Sequence, residues 1–142
     1  MSEKKIAVVT GGSAGIGEAA ARALADDGYT VYVCARRKEL CERIAGEIGG
    51  VGVELDVTDQ GSVDKLAAQL ERVDVLVNNA GGAKGLDPLR DAKPEDWDWM
   101  YQTNVLGTVR VTKALYPALV AAEGLVINVG SCLLYTSDAA DE

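Results

Sequence analysis

Short apolar runs alternate with helical patterns along this chain of 142 residues. Five runs rich in Val, Ile and Leu predict strands at residues 6–9, 29–35, 51–55, 73–77 and 125–129. Apolar residues at helical spacing predict helices at 16–25 and 39–48, a third that Thr58 or Asp59 caps, and a long one from Pro94 to about Ala122. Strands that alternate with helices indicate βαβ units, right-handed crossovers and a parallel sheet. We therefore predict an α/β fold with a doubly wound parallel sheet.

The first predicted strand runs into a glycine-rich turn, Thr10-Gly-Gly-Ser-Ala-Gly-Ile-Gly17, and then into an alanine-rich helix. Such a turn surrounds an anion with backbone N–H groups and the positive end of the helix. A Cβ here would keep the main chain away from a pyrophosphate. The spacing is not the Gly-x-Gly-x-x-Gly fingerprint, so an ordinary strand–helix turn stays an alternative. The candidate phosphate-binding residues are Gly11, Ser13, Ala14, Gly15, Ile16 and Gly17.

The composition of the chain argues against several classes of function. The net charge is −8 and basic clusters are absent, which argues against a nucleic-acid or anionic-membrane partner. The chain has no histidine, and its three cysteines lack metal-ligand spacing, so we expect neither a zinc site nor a Ser-His-Asp triad, and no metal. No apolar run predicts a membrane span, and the N-terminal residues do not resemble a signal peptide. We expect a cytoplasmic protein with free thiols.

Two arginines follow the second predicted strand, in Cys34-Ala-Arg-Arg37. In a dinucleotide-binding fold this position meets the adenosine ribose, where a carboxylate binds the 2′-hydroxyl of NAD and arginine accommodates the 2′-phosphate of NADP. The guanidinium groups of Arg36 and Arg37 offer forked donors for a phosphate. The alternative is that both are solvated residues at the start of a helix. We predict NADP as the cofactor, in preference to NAD.

These motifs resemble the classical short-chain dehydrogenase/reductase family. The family pattern Thr-Gly-x-x-x-Gly-x-Gly matches Thr10–Gly17, and its Asn-Asn-Ala-Gly signature matches residues 78–81 letter for letter. The resemblance covers residues 4–131 and implies a Rossmann-like fold in which Thr10 ties the first loop to the Asn-Asn loop. It also implies a cofactor site that includes Asp56, as acceptor for the adenine amino group, Val57, Asn78, Ala80 and Gly81. From the sequence alone Asp56 is equally a turn or cap residue.

In this family a tetrad of Asn, Ser, Tyr and Lys reduces carbonyl groups. The tyrosine passes a proton, the lysine lowers the pKa of the tyrosine, the serine polarises the substrate oxygen, and the asparagine holds a water. Asn104 and Ser131 match the asparagine and the serine. The alternatives are a polar helix-face residue for Asn104 and a strand-end turn for Ser131. The Tyr-x-x-x-Lys pair is absent from the sequence.

Residues 132–142 resemble a translated sequencing adapter, which gives an expected division of the chain. Residues 1–131 would form a truncated dinucleotide-binding domain with five strands present and C-terminal strands missing, and 132–142 a non-native tail. The chain as given would then be inactive, because the tyrosine and lysine are missing. The resemblance also implies a dimer or tetramer for the full-length form, with contacts from an apolar helix face formed by Val105, Val109, Val111, Thr112, Leu115 and Leu119.

Residues 78–119 look most like the branch of the family that oxidises small 3-hydroxy acids with NADP. Generic ketone or aldehyde reductases compete with this assignment. A non-catalytic NADP(H)-binding subunit or sensor is the main alternative, and the absent Tyr-x-x-x-Lys pair supports it. An epimerase or dehydratase of the extended relatives is disfavoured by the Asn-Asn-Ala-Gly loop.

Overall fold

The computed structural model describes residues 4–85 and 87–131. The expected non-native tail, 132–142, lies outside these residues. The described chain contains one sheet of five parallel strands: β1 (Ile6–Thr10), β2 (Thr30–Ala35), β3 (Val51–Glu54), β4 (Val75–Asn78) and β5 (Leu125–Asn128). Their order across the sheet is β3-β2-β1-β4-β5. This is the order of the Rossmann fold, so the predicted fold class is confirmed.

Helices connect the strands close to the predicted positions. They are α1 (Gly15–Asp26), α2 (Lys38–Ile48), α3 (Gln60–Ala67), α4 (Pro94–Met100) and α5 (Gly107–Ala122), with a 3₁₀ turn at Leu89–Asp91. Asp59 caps α3, since its carboxylate accepts a hydrogen bond from the Gly61 N–H at 3.0 Å. Gly49 ends α2 in the left-handed region with φ of 71°.

The three central strands, β1, β2 and β4, are buried on both faces, as a parallel sheet requires. Ala7 and Val9 face α1 and α2, whereas Val8 faces α3 and α5. The two core layers are formed by Ala7, Val9, Ala21, Val31, Val33, Cys41, Ile44, Ala45, Val75 and Val77, and by Val8, Cys34, Leu55, Val57, Val63, Leu66, Leu70, Val73, Leu76, Val111, Leu115, Ala118 and Leu119. Burial raises the pKa of the free Cys34 and Cys41 thiols, which favours their neutral forms.

Strand β5 is covered on one face only by the described residues. Val126 packs against the α3–α5 layer. Leu125 and Ile127 pair in register with Val75 and Val77 and so lie on the α1–α2 side, where they are exposed. The described part of the chain therefore leaves an apolar strip at this end of the sheet.

A continuous helical stretch, Pro94–Ala122, packs against the sheet through α5 and contains a π-helical segment at Tyr101–Leu106 between α4 and α5. Single π turns inside α-helices frequently mark functional sites. By length and composition alone the stretch is apolar enough to cross a membrane, as the core helix of a soluble protein also can be.

The expected dimer face was wrong in part, because its residues lie on different sides of the helical stretch. Val105 and Val109 are exposed, whereas Val111, Leu115 and Leu119 are buried against the sheet.

One hydroxyl group ties together the loops that follow β1 and β4. The Thr10 Oγ1 accepts hydrogen bonds from the backbone N–H groups of Asn79 at 3.0 Å and Ala80 at 2.9 Å. The Asn79 side chain donates in turn to the Gly11 carbonyl at 3.1 Å. The strand order of the sheet reverses between β1 and β4, and ligands bind at this point in open α/β sheets.

A charged pair holds the opposite end of the same two strands. Arg72 donates to both carboxylate oxygens of Asp74, at 2.8 Å and 3.2 Å, and the Ile6 N–H also donates to this carboxylate at 2.8 Å. The hydrogen bonds from Arg72, reinforced by that from Ile6, hold the pKa of Asp74 below its ordinary value. The Asp74 side chain is only 11% exposed, so solvent screens the pair weakly.

Asp74→Asn is expected to lower the free energy of unfolding at pH 7 by about 1.5–3 kcal/mol, the range for hydrogen bonds to charged groups. Because the folded-state pKa lies below the unfolded value of about 3.9, the contribution of the carboxylate is complete above about pH 5 and is lost as the pH falls towards the folded-state pKa. Urea unfolding of the wild type and the variant at pH 7 and pH 3 measures this. Asp64→Asn, on the exposed side of α3, is the matched control. If Asp74→Asn lowers the free energy of unfolding by the same amount at pH 7 and at pH 3, the stabilising effect does not come from the ionised carboxylate of Asp74, and the account is contradicted.

Thr10→Val is expected to destabilise the fold by about 1–3 kcal/mol for each of the two N–H groups that lose their acceptor. Valine has the shape of threonine without the hydroxyl, so packing is retained. Thr10→Ser retains the hydroxyl and is expected to lose only about 1 kcal/mol for the missing methyl group. Urea unfolding compares the two variants, and equal stability of both would show that the hydroxyl does not hold the loops.

Candidate functional site

A cleft of about 880 Å³ lies at the carboxyl edge of the sheet. The ends of β1, β2, β3 and β4 form its floor, and the long helical stretch forms one wall. Its lining residues are Gly11, Ser13, Cys34, Ala35, Arg36, Arg37, Leu55, Asp56, Val57, Thr58, Ala80, Gly81, Glu95, Asp98, Trp99, Gln102 and Thr103. The structure thus brings eight predicted cofactor residues to one cleft: Gly11, Ser13, Arg36, Arg37, Asp56, Val57, Ala80 and Gly81.

The glycine-rich turn folds tightly beneath this cleft. Gly11 has φ of +62°, in the region that favours glycine, and a Cβ on Gly17 would overlap the Gly11 carbonyl oxygen. The turn leads directly into α1, whose N-cap is Ala14. The first N–H groups of a helix have no partner within it and give the helix end a partial positive charge. Ala14, Gly15, Ile16 and Gly17 belong to this turn but do not line the cleft.

Charged side chains lie where β2 and β3 end. Arg36 and Arg37 are exposed and line the cleft, and the half-buried carboxylate of Asp56 lines it beside them. The Thr58 hydroxyl donates to Asp56 at 2.6 Å and the Thr58 N–H donates at 2.9 Å. The Thr58 hydrogen bond and, with smaller effects, the charges of Arg36 and Arg110 hold the pKa of Asp56 below its ordinary value. Asp56 therefore shapes its own turn and also presents a negative charge to the cleft.

Arg110, on α5, connects the loop after β3 to the π-helical segment. Its guanidinium donates to the Val57 carbonyl at 3.3 Å, to the Gln102 carbonyl at 3.3 Å and to the Gln102 Oε1 at 2.8 Å. Gly107 allows this approach, since a Cβ there would lie 2.6 Å from the Val57 side chain. The helical wall is thus fixed to the floor of the cleft at the β3 end.

Asn104 fixes the same wall at the β4 end. Its side-chain amide accepts a hydrogen bond from the Gly82 N–H at 2.9 Å and donates to the Gly82 carbonyl at 2.8 Å. A Cβ on Gly81 would lie 2.6 Å from the Asn104 Oδ1, so glycine permits the approach. The main-chain carbonyl of Asn104 accepts from the Thr108 hydroxyl at 3.0 Å. The amide of Asn104 therefore positions the loop after β4, and its role towards a substrate stays a prediction.

Asn78 and Ser131 are the predicted site residues nearest to β5. Asn78 is buried at the end of β4 and donates to the Thr112 hydroxyl at 3.0 Å and the Asn128 Oδ1 at 2.9 Å. Its Oδ1 has no hydrogen-bond partner among the described residues. Ser131 is exposed and follows β5 at the same edge of the sheet. Neither residue lines the cleft.

Sequence reasoning missed the residues that form the helical wall: Trp99, Gln102, Thr103 and Arg110. Trp99 lines the cleft, and the ammonium group of Lys84 lies 4.5 Å from the centroid of its ring. Arg110 and Gln102 carry no motif, since ordinary helix surfaces contain the same residue types. Only the position of Asn104 in the sequence could have directed attention to its helical neighbours.

The cleft fits an anionic dinucleotide. The glycine-rich turn, the arginine pair after β2 and the loop after β3 line one space, and the turn leads into the N-terminus of α1. Within residues 4–85 and 87–131, no group of three or more Cys, Asp or Glu side chains could hold a metal ion.

Comparison with known proteins identifies related sequences. The family model of the short chain dehydrogenases matches residues 5–135. An uncharacterized oxidoreductase of Mycobacterium tuberculosis is 54% identical over 131 residues, which are 92% of this chain and 52% of that protein. The NADP-dependent 3-hydroxy acid dehydrogenase YdfG of Salmonella typhi is 39% identical over 133 residues, which are 89% of this chain and 54% of that protein.

Solved structures agree with these matches. The crystal structure of serine dehydrogenase from Escherichia coli superposes with a TM-score of 0.86 at 35% identity, covering 94% of this chain and 65% of that one. The closed form of serine dehydrogenase complexed with NADP⁺ gives a TM-score of 0.86 at 34% identity, covering 96% of this chain and 58% of that one. The chain spans about half the length of the curated relatives it matches. On the family match over residues 5–135, the predicted resemblance is confirmed and the chain belongs to the short chain dehydrogenase family.

Proposed function

We propose that this chain is the NADP(H)-binding part of an oxidoreductase that moves a hydride between a nicotinamide cofactor and a small hydroxy or carbonyl substrate. The observation that carries the proposal is the placement of Arg36 and Arg37 in the cleft that Gly11, Ser13 and Gly81 also line. Phosphate-binding main chain and a paired guanidinium site thus share one space. Two similar proteins support NADP by their names: an NADP-dependent 3-hydroxy acid dehydrogenase and a serine dehydrogenase complexed with NADP⁺.

We assign the binding roles as follows. The turn from Gly11 to Gly17 would hold the pyrophosphate through its N–H groups, and Arg36 with Arg37 would hold the 2′-phosphate. Asp56 would accept a hydrogen bond from the adenine amino group, with Val57 against the base. Ala80 and Gly81 would form the floor beneath the nicotinamide end, and Asn78 would hold that floor through Thr112 and Asn128. The cofactor, when bound, would accept the hydride from a hydroxy substrate or supply it to a carbonyl substrate.

For the reaction we propose that residues 1–131 supply Asn104 and Ser131 and that the proton-transfer pair belongs to a longer protein. The sequence has no tyrosine followed four residues later by lysine. Such a pair is needed because an ammonium group lowers the pKa of a neighbouring phenol towards the working pH. The matched relatives are about twice as long as this chain, which supports the proposal.

A 3-hydroxy acid is the substrate class that we propose for the longer protein. The support is similarity to the YdfG dehydrogenase and to serine dehydrogenases, at 34–39% identity. We also propose a homo-oligomeric, cytoplasmic enzyme. The exposed Val105, Val109, Tyr116 and Val120 on the helical stretch offer an apolar surface for a second copy, and the two buried free thiols suit a reducing compartment.

Replacing both Arg36 and Arg37 by alanine is expected to weaken NADPH binding about 10- to 100-fold, which corresponds to charge-assisted hydrogen bonds of about 1.5–3 kcal/mol. NADH binding is expected to change less than about twofold, because NADH lacks the 2′-phosphate. Quenching of Trp99 fluorescence during titration measures both affinities, with Trp97, the other tryptophan, replaced by phenylalanine in every variant. Arg43→Ala, exposed on α2, removes the same charge outside the cleft and is the control. Equal losses for NADPH and NADH would contradict the assigned phosphate site.

No NADP(H)-linked turnover of serine, 3-hydroxybutyrate or the matching carbonyl compounds is expected from this chain, since the tyrosine and lysine are absent. The change of NADPH absorbance with time measures this, with the serine dehydrogenase of Escherichia coli as positive control. Nucleotide binding without turnover, repeated in a longer natural chain that contains the missing half, would favour a binding subunit or sensor. Turnover by the present chain above the rate without protein would contradict the proposed division of the catalytic residues.

A further inference from the structure

Strand β5 forms one edge of the sheet, where it pairs with β4 alone among the described strands. The N–H groups of Leu125 and Val129 donate to carbonyls on the β4 side, at 2.8 Å and 3.0 Å. Because successive residues of a strand direct their backbone groups to opposite sides, those of Val126 and Asn128 face away from β4. These groups have no backbone partner within residues 4–85 and 87–131. The outer edge of β5 is therefore open for pairing with another strand.

This edge lacks the charged side chains that usually protect an edge strand. Residues 124–131 contain no charged residue, and Leu125, Ile127 and Val129 are 59%, 42% and 40% exposed. The three side chains share one face of the sheet, because they alternate with Val126, which packs against the α3–α5 layer. An exposed apolar edge of this kind is a site at which another chain can add a strand. Open backbone groups and exposed apolar side chains thus coincide on β5.

The opposite edge of the sheet, β3, is protected by charge. Gly52 and Glu54 direct their backbone groups away from β2, because the N–H of the next residue, Leu55, donates to a carbonyl of β2. The side chain of Glu54 is charged, and Lys38 and Lys65 line the groove beside it. Charged side chains at an edge oppose the addition of a further strand. Of the two edges of the described sheet, β5 is the one suited to pairing.

Two copies of β5 complement each other in the antiparallel orientation. With Ile127 of one copy opposite Ile127 of the other, Val126 of each copy faces Asn128 of the other, and each such pair exchanges both of its backbone hydrogen bonds. Every open residue of the two strands is then paired. The same register places Leu125 opposite Val129 of the other copy, so the exposed apolar side chains of both copies form one cluster.

We propose that the outer edge of β5 binds a second copy of this chain, with the two β5 strands antiparallel and Ile127 at the centre of the contact. The pairing would join the two sheets into one continuous sheet. A contact through one short strand is small, and each chain carries a net charge of −8, so we expect a weak dimer that forms more readily at high salt. This inference does not depend on the proposed cofactor. In the proposed longer protein, further chain would compete with a second copy for the same edge.

Amide hydrogen exchange of the ¹⁵N-labelled chain tests the pairing at about 50 µM and about 1 mM protein, which bracket a weak dimer. The Val126 and Asn128 amides are expected to exchange about threefold or more slowly at the higher concentration, because they gain partners only in the dimer. The Gly52 and Glu54 amides on the β3 edge are the internal control, and their exchange is expected to be independent of concentration. Equal protection of Val126 and Asn128 at both concentrations would show that the chain covers its own edge. Free exchange at both would show that the edge stays open, and either result would overturn the inference.

Ile127→Lys is expected to raise the dissociation constant of the dimer at least about 10-fold in sedimentation equilibrium, because two lysines would oppose each other at the centre of the contact. Val51→Lys is the matched control, since Val51 lies on the β3 edge and is 38% exposed against 42% for Ile127, and its dimer is expected to be unchanged within about twofold. Melting temperatures check that both variants fold, and the exchange experiment needs no variant. Loss of the dimer in Val109→Lys but not in Ile127→Lys would place the contact on the exposed face of the helical stretch and overturn the inference.

Discussion

The site depends on one buried hydroxyl group, that of Thr10. Two adjacent backbone N–H groups, from Asn79 and Ala80, donate to it, and this sets the separation of the loops that follow β1 and β4. β1 and β4 are paired, but the loops that follow them diverge, because the chain leaves β1 towards β2 and later returns on the other side of β1 at β4. Main-chain hydrogen bonds of the sheet end there, and the side chain of Thr10 continues the connection beyond them.

The opposite wall of the cleft is held in a comparable way, at two points instead of one. Arg110 attaches the π-helical segment to the loop after β3, and Asn104 attaches it to the loop after β4. Glycines at 81 and 107 allow both approaches. Because β3 and β4 are separated in the sheet by β2 and β1, the helical segment spans the whole cleft. A dinucleotide is an elongated ligand, and a wall fixed at both ends suits it.

The local patterns in the sequence were sufficient to predict the fold. Apolar runs that alternate with helical patterns located the five strands of the described residues, and Asp59, one of the two expected caps, begins α3. The glycine turn, Arg36, Arg37 and Asp56 could be predicted because each follows a strand, and strand ends of a parallel sheet meet at one edge. The residues of the helical wall could not be predicted from the sequence. The π turn at 101–106 has no residue signature, and the partners of Arg110 lie 8 and 53 residues away in sequence. The expected dimer face includes both buried and exposed residues, because the sequence alone does not fix the rotation of the helix about its axis.

The central claim is that a dinucleotide occupies the cleft between the glycine turn and the Asn-Asn loop. Amide chemical shifts of the ¹⁵N-labelled chain, recorded during titration with NADPH, test it most directly. Shifts are expected for residues 11–17, for Arg36 and Arg37, and for residues 79–82, whereas Gly28, Gly50 and Gly124 at the other end of the sheet are expected to stay unchanged. Shifts confined to the amino edge of the sheet, or no saturable shift at all, would contradict the account.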